Sequence, residues 1–377
     1  MIDKFERALR IPRVDDHALD RYNRAHSDTF EALAALSEPI QQVTTRWLRE
    51  RAVEALAGVR ASSFGRDGPL LFPVPRGFLG PLSSERITGT RRALDHIDLR
   101  LQAVASGELQ DAVSWETPFV IHALTAAGTS KQGDRVSLLR AGRSGWRDRE
   151  HPYQPPGPRE VPELLEATFQ RLAGSSEPAA VSAAWFAFTW MTLHPFEDGN
   201  GRTARLLHQL ISATGLPCAA DWGIAEMWVV HRSDYHDRLK AGQGLSPTYD
   251  PKLIDARPFV EASLQWSTDG AELTTARVTL TAELTDDLPG SDRLQAAILA
   301  VLLSRGLQPG RLLPWSSAEQ VDCLERAVAT GTIARTRLPA SRRMAGDTSL
   351  PYYVPTELAW RQLQRLLDRR HSHSGQR

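Results

Sequence analysis

His194, Asp198, Arg202 and Arg205 fall within one short stretch, HPFEDGNGRTARLL, which also sets Gly199 and Gly201 on either side of Asn200. Each residue type suits a separate part of a single reaction. Glycines at 199 and 201 let the backbone take positive φ and approach a ligand closely. If a helix starts near Gly201 or Arg202, its free N–H groups and positive dipole end form an anion nest. Arg202 and Arg205 are three apart on the first turn, so two guanidiniums can grip further phosphate oxygens by bidentate hydrogen bonds. One phosphate scarcely needs both. A chain of phosphates does, and it calls for a divalent cation, for which Asp198 supplies a hard oxygen ligand. His194 is the natural base near neutral pH, and Phe196 an apolar anchor for the loop. Together they describe nucleotide-dependent transfer, in which His194 takes a proton from a hydroxyl that attacks a phosphorus atom held by the nest. Each feature also has a plainer reading. Gly-Asn-Gly is an ordinary turn, Asp198 a helix cap, His194 a capped surface residue, and the two arginines a solvated face.

The elements that must position these groups are helices. AAVSAAWFAFTWMTL, Ala179 to Leu193, is apolar nearly all round and predicts a helix buried on every side, with Trp185, Phe186, Phe188 and Trp190 in the core. TARLLHQLISATGLP is again helical up to Gly215 and Pro217, so the motif is a helix-loop-helix joint. Upstream, Leu19 to Val59 repeats apolar residues at helical spacing with a break at Pro39, and a helix begins at Ser83 or Ser84. Downstream, EMWVVHRSDYHDRLKAG and LIDARPFVEASLQWS predict further helices. No alternation of strands and helices suggests a parallel sheet, and the fold class expected is mostly α.

The chain has 377 residues, 41% of them hydrophobic, and 45 basic residues balance 45 acidic ones. That length predicts two or three domains, and the balance excludes a global field for nucleic acid or membrane. Cys218 and Cys323 match neither a disulfide framework nor a zinc spacing, which fits a reducing, cytoplasmic setting. No run reaches the ~20 apolar residues of a membrane span. The domains expected are an N-terminal helical region (1–80), a core (81–270), a linker (271–291), a C-terminal domain (292–370) and a disordered tail (371–377). From Asp292 the chain holds 13 arginines against 7 acidic residues. Two helices, the second with a Ser316 to Glu319 capping box, then a hairpin from TIARTRL and PYYV and a last helix, outline a winged-helix-like domain. Arg335, Arg337, Arg342 and Arg343 there either contact a DNA backbone or form a solvated edge.

The motif residues His194, Phe196, Asp198, Gly199, Asn200, Gly201, Arg202 and Arg205 resemble the signature of the Fic (Fic/Doc) family, H-x-F-x-[D/E]-G-N-G-R-x-x-R, at every fixed position. A weaker likeness runs from about Ser83 to Leu264. The resemblance implies a Fic-type helical core that transfers AMP from ATP to a protein hydroxyl (Ser, Thr or Tyr) with release of pyrophosphate. His194 would be the general base, Asp198 the Mg²⁺ ligand, Gly199, Asn200 and Gly201 the phosphate nest, and Arg202 and Arg205 the β- and γ-phosphate contacts. A short β-hairpin flap would lie in LLRAGRSGWRDREHPY, and Tyr235 sits where the family often has an aromatic near the base, or else packs in the core. His208 reads as a satisfied helix histidine. The alternatives are transfer of another phosphate-containing group by the same site, or a nucleotide-sensing DNA-binding regulator with vestigial catalysis. The partners expected are a target-protein hydroxyl, DNA at the C-terminal domain, and a second copy of the chain in a homodimer.

Many Fic proteins carry an inhibitory helix, [S/T]-x-x-x-E-[G/N], whose glutamate pairs with the second motif arginine. SERITG, Ser84 to Gly89, resembles it except that Thr88 stands at the glutamate position. A threonine has no charge to occupy Arg205. Weak or absent autoinhibition is therefore expected, with Ser84, Thr88 and Gly89 as the regulatory candidates, or a plain capped helix without that role.

Overall fold

A computed structural model describes residues 8–57, 84–126, 139–141, 153–216, 224–304, 313–336, 352–357, 359 and 361. Among them the chain is mostly helical, and it separates into two compact units. The first takes in residues 1–27, 52–66 and 75–272, and the second residues 28–51, 67–74 and 273–377. The helices are α1 (Asp16–Ala34), α2 (Glu38–Leu56), α3 (Ser84–Ala105), α4 (Thr117–Ala126), α5 (Val161–Ala173), α6 (Ala179–Leu193), α7 (Asn200–Gly215), α8 (Ile224–Val230), α9 (Arg232–Gly242), α10 (Arg257–Asp286), α11 (Asp292–Ser304) and α12 (Ser317–Ala329). Two strands follow, β1 (Ile333–Thr336) and β2 (Tyr352–Pro355).

The first unit is built around α6. Every residue from Ala180 to Leu193 is buried, as its uniformly apolar sequence requires. Its broadest packing is against α7, with α5 on another side, while α4 covers α7 and α3 lies on both α4 and α7. Phe186 stacks on Trp190 with centroids 6.0 Å apart and meets Phe169 edge-on at 5.5 Å. Full burial of one such phenyl ring contributes about 1.5–3 kcal/mol, so these rings fix the axis of α6 more firmly than helix propensity could. Phe188 reaches Phe259 of α10 at 5.7 Å, and Tyr235 of α9 stands edge-on to the same ring at 5.2 Å.

The helix expected over 226–242 is two helices, α8 and α9, separated at His231. The flap residues before Tyr153 lie outside the described residues except for 139–141. Where the chain resumes, Gln154 forms an isolated parallel bridge with Thr248.

In the second unit, Arg277 of α10 is buried with its guanidinium 5.7 Å from the centre of the Trp47 ring, and Thr29 and Thr275 share a 2.8 Å hydrogen bond. Much of the segment expected as a linker, 271–291, is helical, because α10 runs unbroken to Asp286. Threonine is a poor helix former when its hydroxyl competes for backbone, yet Thr279, Thr281 and Thr285 each donate to the carbonyl four residues back. Only Pro289 and Gly290 end the pattern. Within the expected N-terminal region, residues 28–51 group with the second unit.

The arrangement α11, α12, β1, β2 follows the expected order, with Ile333 opposite Pro355 and Thr336 opposite Tyr352 in an antiparallel pair. Ser316 and Glu319 form the expected capping box. Arg335 pairs with Glu325 at 3.1 Å, and Tyr353 donates to the same carboxylate. Arg337, Arg342 and Arg343 lie outside the described residues, as do most of the last helix and the tail. Cys323 is a buried free thiol. Among the described residues no helix is long and apolar enough to cross a membrane.

Gly89 explains the close approach of α3 to α4. A Cβ at that position would run into the carbonyl oxygen of Leu124, which is backbone and cannot swing aside. Gly89→Ala is expected to destabilise the protein by about 1–3 kcal/mol, the usual cost of overpacking. Denaturant unfolding checks this; a midpoint equal to that of the parent protein would show that the two helices are not in tight contact.

Candidate functional site

The motif occupies the joint between α6 and α7. α6 ends at Leu193 because His194 turns into the left-handed region, φ 48° and ψ 58°, while its N–H still bonds to the Trp190 carbonyl at 2.9 Å. A non-glycine residue held there costs about 1–3 kcal/mol and persists only when its surroundings over-determine it. Beyond it the loop closes on itself. The Phe196 N–H donates to Asn200 Oδ1 at 2.9 Å, and Asn200 Nδ2 donates back to the Phe196 carbonyl at 2.7 Å. Asn200 is 2% exposed and both ends of its amide are committed to the loop. Of the expected nest, Asn200 therefore supplies its backbone only, its side chain being the clasp.

Gly199 begins α7 as its N-cap at φ 84°. No side chain caps this end, and the N–H groups of Asn200 and Gly201 have no protein acceptor among the described residues. A Cβ on Gly199 would come within 2.9 Å of His122 Nε2, and one on Gly201 within 3.3 Å of Arg205 Nη1. Gly199 is thus favoured by crowding as well as by φ, whereas at Gly201 the mobile end of Arg205 would have to shift only slightly.

Asp198 is exposed. Its Oδ1 accepts from the Gly199 N–H at 2.7 Å, which leaves the second oxygen without a hydrogen bond among the described residues. No group of three or more His, Cys, Asp or Glu side chains is gathered there or elsewhere among the described residues. A hard cation fits this single fixed carboxylate only if phosphate and water complete its shell, which is how Mg²⁺ is usually held.

Arg202 donates from Nη1 to the Thr125 carbonyl at 2.7 Å, and Arg86 of α3 adds a second positive charge near it. Arg205 meets the hydroxyl of Tyr235, and no carboxylate pairs with it among the described residues. Tyr235 itself is 6% exposed and packs on Phe259 and Trp266, so it is a core ring, and its polar end touches a motif arginine. His208, one turn beyond, is buried against Trp228 and bonds to Ser212. Thr88 is exposed on α3, and Glu85 likewise.

Two residues that the sequence did not single out touch the motif directly. His122 of α4 donates from Nε2 to the Asp198 carbonyl at 2.8 Å and stacks on Phe196 with ring centres 3.9 Å apart. Phe196 is held on its other sides by Phe119 and Trp190. Arg140 donates from Nε to the His194 carbonyl at 2.8 Å. Neither carries a sequence signal, since a lone histidine in TPFVIHALTA and an arginine in LLRAG resemble any other.

Burial first, and then the Arg140 charge, push the half-buried His194 imidazole down to about 4, with Asp198 opposing the shift. His194 is therefore neutral at physiological pH and able to accept a proton. In an unfolded chain the same side chain titrates near 6.5, so the unfolded state binds the extra proton between those values and the stability His194 contributes falls as pH drops from about 6.5 toward 4. Asn200→Ala is expected to cost about 2 kcal/mol or more, because it strands a buried N–H and a buried C=O of Phe196. Chemical denaturation at neutral pH measures it, and a loss below about 0.5 kcal/mol would mean that the clasp is not holding the loop.

Residues 116–212 match the model of the Fic/DOC family. Among solved structures, a Fic family protein from Desulfovibrio desulfuricans G20 is similar with a TM-score of 0.50 and 19% identity, over 92% of this chain and 98% of that one. A Fic domain containing signaling protein from Bacteroides thetaiotaomicron VPI-5482 gives 0.46 and 16%, over 70% and 97%. The Fic-1 segment 134–508 from C. elegans gives 0.47 and 19%, over 71% and 73%. No curated protein matches the chain. The helical joint and its glycine-framed loop lie inside the stretch, residues 116–212, that matches the Fic/DOC family model.

Proposed function

We propose that this protein is an adenylyltransferase that moves AMP from ATP to a hydroxyl of a target protein. The observation that carries the proposal is the pairing at one joint of a neutral imidazole with an uncapped helix end and two arginines, one of which has no carboxylate partner among the described residues. The Fic/DOC family is associated with AMPylation and related transfers of nucleotide-phosphate groups, which fits the same chemistry.

In this scheme the β- and γ-phosphates lie over the N–H groups of Asn200 and Gly201 and are gripped by Arg202 and Arg205. Mg²⁺, held through Asp198, would neutralise phosphate charge. The target hydroxyl oxygen attacks the α-phosphorus, the bond from that phosphorus to the pyrophosphate oxygen breaks, and the hydroxyl proton passes to His194. An imidazole titrating near 4 is a weak base, but the charge of a bound triphosphate raises it. Basicity is then highest when substrate is present.

Restraint of this site from α3 is expected to be weak. α3 does lie against α7, yet it offers an exposed Thr88 at the expected glutamate position and an arginine, Arg86, close to Arg202. A threonine there leaves Arg205 available to phosphate.

Incubation with ATP, Mg²⁺ and cell lysate should yield a protein adduct of about 329 Da, AMP less water, that disappears with His194→Ala. An adduct of about 80 Da would indicate phosphoryl transfer by the same site, and no histidine-dependent label with any nucleotide would defeat the proposal. Thr88→Glu should lower the rate of AMP transfer; an unchanged rate would remove α3 from its regulation.

A further inference from the structure

We infer that Arg140 is the positioning residue that sets the catalytic imidazole: its guanidinium ties the end of α6 to the segment at Pro156 and stands as a fixed charge beside His194. The inference rests on the proposed role of His194 as general base.

Arg140 is 3% exposed. Its Nε donates to the His194 carbonyl at 2.8 Å, and its Nη2 to the Leu193 carbonyl at 3.3 Å and to that of Pro156. Its own N–H donates to the Pro195 carbonyl at 2.9 Å. The last carbonyls of a helix have no partner within it, and the last turn carries the negative end of the helix dipole. A buried cation that binds two consecutive carbonyls there satisfies both demands. It also over-determines the left-handed turn at His194, because the Leu193 and His194 carbonyls must face one planar fork. Tyr153, next along the same segment, adds a hydrogen bond from its hydroxyl to the Thr192 carbonyl at 3.2 Å. The charged groups acting on the imidazole are Arg140 and Asp198, one on each side of the question, with burial the larger influence.

A lysine keeps the charge but lacks the planar fork that reaches several carbonyls, and methionine lacks both. The test uses the full chain with Arg140→Lys and Arg140→Met, with ATP affinity by calorimetry, kcat and KM for AMP transfer, and NMR titration of His194 without nucleotide. Both variants should bind ATP within about twofold of the parent, since the nest lies at 199–205, while kcat falls about 10²-fold, the usual consequence of misplacing a reacting group by about 1 Å. The His194 titration should move up in Arg140→Met and stay low in Arg140→Lys. Parallel losses of ATP affinity and kcat, or a kcat restored by lysine, would overturn the inference. If the parent protein transfers no AMP, the proposed function fails separately and the titration still decides: no upward movement in Arg140→Met overturns the role of Arg140. Should Arg140→Met not fold, Arg140→Gln takes its place.

Discussion

The loop between α6 and α7 depends on one reciprocal pair of hydrogen bonds, from the Phe196 N–H to Asn200 and from Asn200 back to the Phe196 carbonyl. Because Asn200 is also the first residue of α7, its side chain ties the loop to the helix whose N–H groups face any ligand. Everything with chemistry in it is then placed relative to this clasp. Gly199 makes the turn into α7 at φ 84°, and Arg202 and Arg205 follow as the third and sixth residues of that helix. Burial protects the pair: Phe196 sits beneath it, enclosed by Phe119, His122 and Trp190. In low dielectric such bonds are worth more and are costlier to break than in water.

The scaffold behind the clasp is α6. A helix buried on all sides cannot rotate or slide without opening voids among Trp185, Phe186, Phe188 and Trp190, so its C-terminus is a fixed point in the domain. His194 inherits that precision. It is held by the N–H bond to Trp190 from one side and by Arg140 from the other, which places its imidazole on a strained backbone that the fold has over-determined. Strain of this kind is common where geometry matters more than stability.

How legible this was differs from residue to residue. The motif could be read because its residues are contiguous, so spacing alone converts them into a geometry of one loop and one helical turn. The apolar run at 179–193 announced its own burial for the same reason. His122 and Arg140 lie 76 and 54 residues from the atoms they hold, and nothing local in TPFVIHALTA or LLRAG reveals a partner at that distance. The helical state of α10 beyond 270 is hard to read because its threonines and acids look unhelical, although no proline interrupts that stretch before Pro289 and the hydroxyls bond back along the helix. The role of Asn200 is likewise hidden from local spacing: by sequence it belongs to the nest, and in the fold its side chain is spent on the loop.

The central claim is that this joint binds a polyphosphate with a metal at Asp198. Crystals soaked with ATP and Mn²⁺ test it most directly, because manganese gives an anomalous signal that phosphate does not. The account predicts an anomalous peak within coordination distance of the free Asp198 oxygen, with phosphate density over the Asn200 and Gly201 N–H groups and against Arg202 and Arg205. Nucleotide density elsewhere in the domain, or a metal peak remote from Asp198, would contradict it.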